Sequence, residues 1–143
     1  MSIYLSAALR QRLQQADDKQ CAYCQTSVDN TGQPLTIDHI IPLTTGGETT
    51  FDNLCFACRR CNESKRGMVV ARDPLTGEMT ALFHPRRDIW SDHFNWDGSA
   101  THIVGSTATG RATVLALAMN DETIVGARRR WVSAGWHPPQ TQR

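Results

Sequence analysis

The sequence predicts an α+β fold, in which a small core of two strands and a helix is tied by paired cysteines, preceded by an N-terminal helix and followed by a β-hairpin and helices. Three observations carry this expectation. Leu5, Ala8, Leu9 and Leu13, with Ala16, recur near the spacing of one helical face, so Ile3 to Ala16 reads as a helix. Leu35 to Ile41 and Leu54 to Ala57 are short apolar segments bounded by turn or polar residues, as strands are. Arg111 to Met119 and Asp121 to Val132 read as two further helices, with Asn120 or Asp121 capping the second.

The connections follow from turn chemistry. Pro42 and Gly46-Gly47 open a loop that runs to Asn53. Asn62 to Arg66 begin a helix that Gly67 ends. Met68 to Ala71 and Met79 to Phe83 flank Asp73-Pro-Leu-Thr-Gly77, which predicts a β-hairpin. Gly135 and Pro138-Pro139 stop the last helix. No internal repeat, low-complexity tract or clear linker divides the chain.

With 143 residues there is enough chain for one domain with a core, or for a small module with an appendage. No run of about 18 apolar residues occurs, which excludes an apolar membrane helix. Met1 to Gln15 lacks the basic-then-apolar order of a signal peptide, so the expected location is cytoplasmic. In that reducing setting cysteines hold metals more often than they form disulfides. The formal net charge of +1 decides nothing about nucleic acid, but its distribution is uneven. Seven Lys or Arg residues face three acids between Arg59 and Arg87, and Arg128-Arg129-Arg130 form a second cluster. Such runs are solvated faces or phosphate contacts.

Cys21-Ala-Tyr-Cys24 and Cys58-Arg-Arg-Cys61 are two Cys-x-x-Cys knuckles. A two-residue gap lets both sulfurs of a knuckle face one ion at about 2.3 Å, and two knuckles complete a closed tetrahedron of thiolates. That pattern predicts a structural Zn²⁺ site that clips the N-terminal region to the following helix. The alternatives are two disulfides or four unrelated thiols. Cys55 is left over and reads as a small buried hydrophobe. A four-thiolate site explains stability and leaves function open.

Between the knuckles lie Asp38-His39, Asn53 and Asn62. Cleaving a phosphodiester requires a base for the attacking water, and positive charge for the pentavalent phosphate and the leaving oxygen. A His near its ordinary pKa serves the first need, and a hard cation on Asp and Asn oxygens serves the others. Each residue also has a plainer reading, Asp-His as a surface or capping pair and Asn62 as a helix cap. Adjacent strand residues point to opposite faces, so a shared site needs a bend at Asp38-His39.

Together, Asp38-His39, Asn53 fourteen residues after His39 and Asn62 twenty-three after it, inside the cysteine bracket, resemble the HNH nucleases of the ββα-metal (His-Me finger) fold. The resemblance covers Cys21 to Gly67. It implies that His39 is the general base and that Asp38 and Asn62 are metal ligands. It implies that Asn53 pins the loop between the strands. It also implies a DNA endonuclease leaving a 5′-phosphate and a 3′-hydroxyl. The oxygen-only ligand pair implies Mg²⁺ or Mn²⁺. Lys65 and Arg66, with Arg59 and Arg60, are the expected DNA contacts. Residues 1–67 are then the nuclease core and 68–143 an extension packed on it. There Trp90, Trp96, Trp131 and Trp136 are expected to build a small core rather than stack on bases. Two rival functions remain, a non-catalytic zinc module that binds nucleic acid, and a nuclease subunit active only within a larger complex.

Overall fold

Ser6 sets where the first helix begins. Its backbone is extended and its hydroxyl accepts from Leu9 N at 3.1 Å, so α1 covers Ala7–Asp17 instead of starting at Ile3. The computed structural model describes residues 4–140, and Ile3 lies outside them. Leu5 and Leu13 bury one face of this segment against Leu54 and Phe56. The polar stretch expected after the first knuckle contains a single helical turn, α2 (Val28–Thr31), capped by Ser27.

β1 (Thr36–His39) and β2 (Leu54–Ala57) pair antiparallel, with Thr36 opposite Ala57 and His39 opposite Leu54. β2 has its expected bounds and is buried throughout. β1 is shorter than Leu35 to Ile41 because Asn53 takes over the backbone beyond it. Ile40 N donates to the Asn53 carbonyl at 2.9 Å, and Ile41 N donates to Asn53 Oδ1 at 2.8 Å. α3 (Arg59–Lys65) starts earlier than expected, because Cys58 is its cap and the Sγ accepts from Cys61 N.

The expected hairpin is present as β3 (Val70–Arg72) and β4 (Met79–Ala81). Asp73 organises its turn, accepting from Leu75 N and from the Thr76 hydroxyl. α4 (Trp90–His93) and a second hairpin, β5 (Phe94–Trp96) with β6 (Ile103–Gly105), lie where no element was expected. Their three- and four-residue lengths give periodicity nothing to act on. α5 (Ala108–Ala116) begins after Thr107, whose hydroxyl accepts from Gly110 N. Its Gly110 packs so tightly that a Cβ there would lie 2.1 Å from the His93 carbonyl oxygen. α6 (Glu122–Ala134) is capped by Asp121 and closed by Gly135 in the left-handed region.

One apolar cluster joins Cys21, Tyr23, Cys24, Ile40, Cys55 and Cys61 to Leu82, Phe83, Trp90, Phe94, Ile103, Leu117 and Met119. The C-terminal half thus completes the core around the knuckles. Trp90 is buried in it and Trp96 packs against it, Trp131 is buried elsewhere, and Trp136 is exposed. Arg86 adds a latch, gripping Asp17 with two hydrogen bonds of 2.9 Å and donating to the Leu54 carbonyl. No helix among the described residues is long and apolar enough to cross a membrane.

Candidate functional site

The four knuckle cysteines converge. All four Sγ atoms lie within 4.8 Å of one another, and Cys24 and Cys58 approach to 3.6 Å. A tetrahedron with arms of about 2.3 Å has edges of about 3.8 Å, so this cluster matches a tetrathiolate cage. No disulfide forms, and each knuckle repeats one local bond, the second cysteine's N–H donating to the first cysteine's Sγ at 3.5 Å. Those donors favour thiolates. Neighbouring sulfurs hold Cys24 well below its ordinary value and Cys58 below its own. Burial drives Cys21 well up, and the adjacent sulfurs drive Cys61 well up. Four like charges in one buried volume need a cation to coexist. The donors and geometry fit Zn²⁺. Cys55 stands apart on β2, fully buried, its thiol pushed up first by burial and then by Asp38.

β1 carries Asp38 and His39, and α3, packed against it, carries Asn62 and Lys65. The strand sends Asp38 inward, where it is 5% exposed. Its Oδ2 accepts from the Tyr23 hydroxyl at 2.6 Å and lies 3.3 Å from the Lys65 ammonium. Lys65 also donates to the carbonyls of His39 at 3.3 Å and Ile40 at 2.9 Å. His39, the last residue of β1, is half-buried, with Nε2 3.0 Å from the Thr49 hydroxyl. Asn62 extends from α3 to β1, donating from Nδ2 to Thr36 Oγ1 at 2.8 Å. Asn53 ties the loop across itself, bonding Ile41 N, the Ile41 carbonyl and the Glu48 carbonyl.

This segment is similar to a known family. Residues 21–67 match the family model for HNH endonuclease. The match covers about a third of the chain and coincides with the cysteine bracket. No curated protein and no solved structure matches the chain.

Within residues 21–67 the basic residues divide. Arg59 and Arg66 are exposed, Arg59 in a surface pair with Glu63 at 2.8 Å. Lys65, expected among the DNA contacts, is only 1% exposed, and its ammonium is committed to Asp38 and two carbonyls. Arg60 is half-buried and donates to Cys24 Sγ at 3.4 Å. Both are expected from the sequence as DNA contacts, which would need them at the surface. A basic run does not distinguish cations aimed at solvent from cations that answer buried anions.

The oxygen set of Asp38 and Asn62 is chemically suited to a hard divalent ion. Asn62 uses its amide nitrogen on Thr36, so its carbonyl oxygen is the atom that could face an ion. Asp38 Oδ1 has one contact, Lys65 at 3.5 Å, so it keeps lone pairs, but any ion there shares the carboxylate with an ammonium. Tyr23, Thr36 and Thr49 were not anticipated as parts of this site. Tyr23 alone had a sequence signal, its place inside the first knuckle.

Proposed function

We propose that this protein is a metal-dependent DNA endonuclease whose HNH unit, residues 1–67, is completed by an extension over residues 68–143. The observation that carries the reading is the pairing of His39 with Thr49, in a segment that matches the HNH endonuclease family. In the tautomer whose Nε2–H donates to the Thr49 hydroxyl, Nδ1 is the ring nitrogen left to accept a proton from water. His39 is the general base, and Thr49 fixes the ring. Asn53 keeps the loop that carries Thr49 closed against the end of β1. Asp38 and Asn62 are the residues that would hold Mg²⁺ or Mn²⁺, which supplies Lewis-acid stabilisation of the phosphate and of the leaving oxygen. Arg59 and Arg66 are exposed and serve as phosphate contacts. By likeness to the family, the products carry a 5′-phosphate and a 3′-hydroxyl.

The test is cleavage of supercoiled plasmid with Mg²⁺ or Mn²⁺ by wild-type protein beside His39→Ala. Metal-dependent nicking or linearisation by the wild type alone is expected. Equal cleavage by both proteins, or none by either on any DNA tried, ends this reading.

The Lys65–Asp38 ion pair favours a second reading, a zinc module that binds nucleic acid without cutting it. Its mark is salt-dependent DNA binding with no metal-dependent turnover.

A further inference from the structure

Two guanidinium groups, one buried and one half-buried, have no carboxylate partner among the described residues. Arg128, on α6, is 0% exposed. Its Nη1 donates to the Thr101 carbonyl at 2.9 Å and lies 3.3 Å from Asn120 Oδ1, while Nε and Nη2 are buried with no partner. Arg60, on α3, points Nη2 at Cys24 Sγ, 3.4 Å away, and its Nε is buried with no partner. Neither pairs with an acid among the described residues, where the ion pairs are Arg59–Glu63, Lys65–Asp38, Arg86–Asp17, His102–Asp97 and Arg111–Asp73. A guanidinium cannot shed its charge on burial as lysine can, so a buried arginine requires an anion nearby.

The cysteine cluster is that anion. Four thiolates around a divalent ion carry two net negative charges, and two guanidiniums cancel them. We infer that Arg60 and Arg128 are the counter-charges of the four-thiolate metal site, and that through Arg128 the bound metal holds α6 against the HNH segment. Burial lowers the Arg128 guanidinium from its ordinary value and Arg60 acts in the same direction, while Cys24, Cys61 and Cys58 oppose them. Ile124, one turn before Arg128 on α6, lines one cavity with Cys58 and Arg60, so this face of the helix lies beside the cluster. Trp96 lies under the guanidinium, with the Arg128 carbon 5.1 Å from the ring centroid, shielding the charge from water. The arrangement makes the zinc site a clasp between the two halves of the chain. It also removes Arg128 from the basic run as a nucleic-acid contact, leaving Arg129 and Arg130 exposed.

The inference is independent of nuclease activity. Hydrogen exchange on full-length wild-type protein, loaded with Zn²⁺ and then stripped by a chelator, gives the first measurement. Loss of amide protection along Glu122–Ala134 on stripping is expected. Protection there that survives while Cys21 to Cys24 opens would overturn the inference. The second measurement is Zn²⁺ affinity by competition with a chromophoric chelator, for wild type, Arg60→Met, Arg128→Met and Arg128→Lys. Removing either charge is expected to weaken Zn²⁺ by about 10–100-fold, the usual range for groups that support metal ligands, with partial recovery in the lysine variant. Wild-type affinity in both methionine variants would overturn it. Should Arg128→Met not fold, Arg60→Met and the wild-type exchange experiment each still decide the matter.

Discussion

Tyr23 stands between the two cysteines of the first knuckle and donates its hydroxyl to Asp38 Oδ2 at 2.6 Å. One residue thus joins the thiolate cluster to the strand that carries the proposed base. Burial holds the phenol well above its ordinary value, and the charges of Cys55 and Asp38 add to this, so it stays a donor. Tyr23→Phe keeps the ring and removes one hydrogen bond to a charged acceptor. It should cost about 1.5–3 kcal/mol, read from urea unfolding at fixed Zn²⁺.

Lys65 and Asp38 form a pair with side chains 2% and 6% exposed. Removing one partner strands a buried charge, so Lys65→Met should destabilise by about 3–5 kcal/mol. Adding Asp38→Asn to it should restore part of that loss, because the stranded carboxylate is gone. Strict additivity of the two single losses in a double-mutant cycle would contradict the pairing.

Asn53 makes three side-chain hydrogen bonds that close the loop from Ile41 to Glu48. Asn53→Ala should cost about 2–3 kcal/mol, at about 1 kcal/mol per bond, with faster exchange at the Ile41 amide. Gly47 supports the same closure, since a Cβ there would lie 1.8 Å from the Ile41 carbonyl oxygen and 2.8 Å from Asn53 Nδ2. Gly47→Ala should therefore loosen the same amide.

His39 carries one side-chain bond and is half-buried. His39→Ala should change stability by no more than about 1 kcal/mol, while abolishing base catalysis worth about 10²–10⁴-fold in rate. A loss of cleavage that merely follows unfolding, seen as a matching shift in the urea midpoint, would contradict its role as base.

Two other histidines make stability fall in acid. Burial lowers His84, aided by Arg87, and its Nδ1 accepts from Arg86 N at 3.2 Å, which requires the unprotonated nitrogen. Burial likewise lowers His137, which sits edge-on to Trp96 at 4.4 Å. With folded values below the unfolded value of about 6.5, the unfolded chain binds more protons in between. Their contribution is therefore complete above about pH 6.5 and is lost as pH falls towards the folded values. Unfolding free energy at fixed Zn²⁺ should decline from pH 7.5 to pH 5, less steeply in His137→Gln.

Much of the fold was legible where a local rule suffices. The cysteine spacing anticipates the cluster, β2 has its expected bounds, and α6 is capped by Asp121, one of the two residues expected there. The HNH spacing is likewise a matter of counting residues, and residues 21–67 match the HNH endonuclease family. The second hairpin and α4 were not legible, because each is held by contacts far away in sequence. Trp90 Nε1 donates to the Tyr23 carbonyl at 2.8 Å, and Ile103 N donates to Asn120 Oδ1 at 2.8 Å.

The direction of the charges was the other part beyond the sequence. By itself the chain determines its four thiols, its Asp-His pair and its basic runs, because spacing and residue type are local properties. Only the tertiary structure decides that Lys65 faces Asp38, that Arg86 grips Asp17 and that Arg128 is buried while Arg129 beside it is exposed. A cation goes where its desolvation is repaid by an anion or a carbonyl, and those partners come from segments that meet only when the core closes.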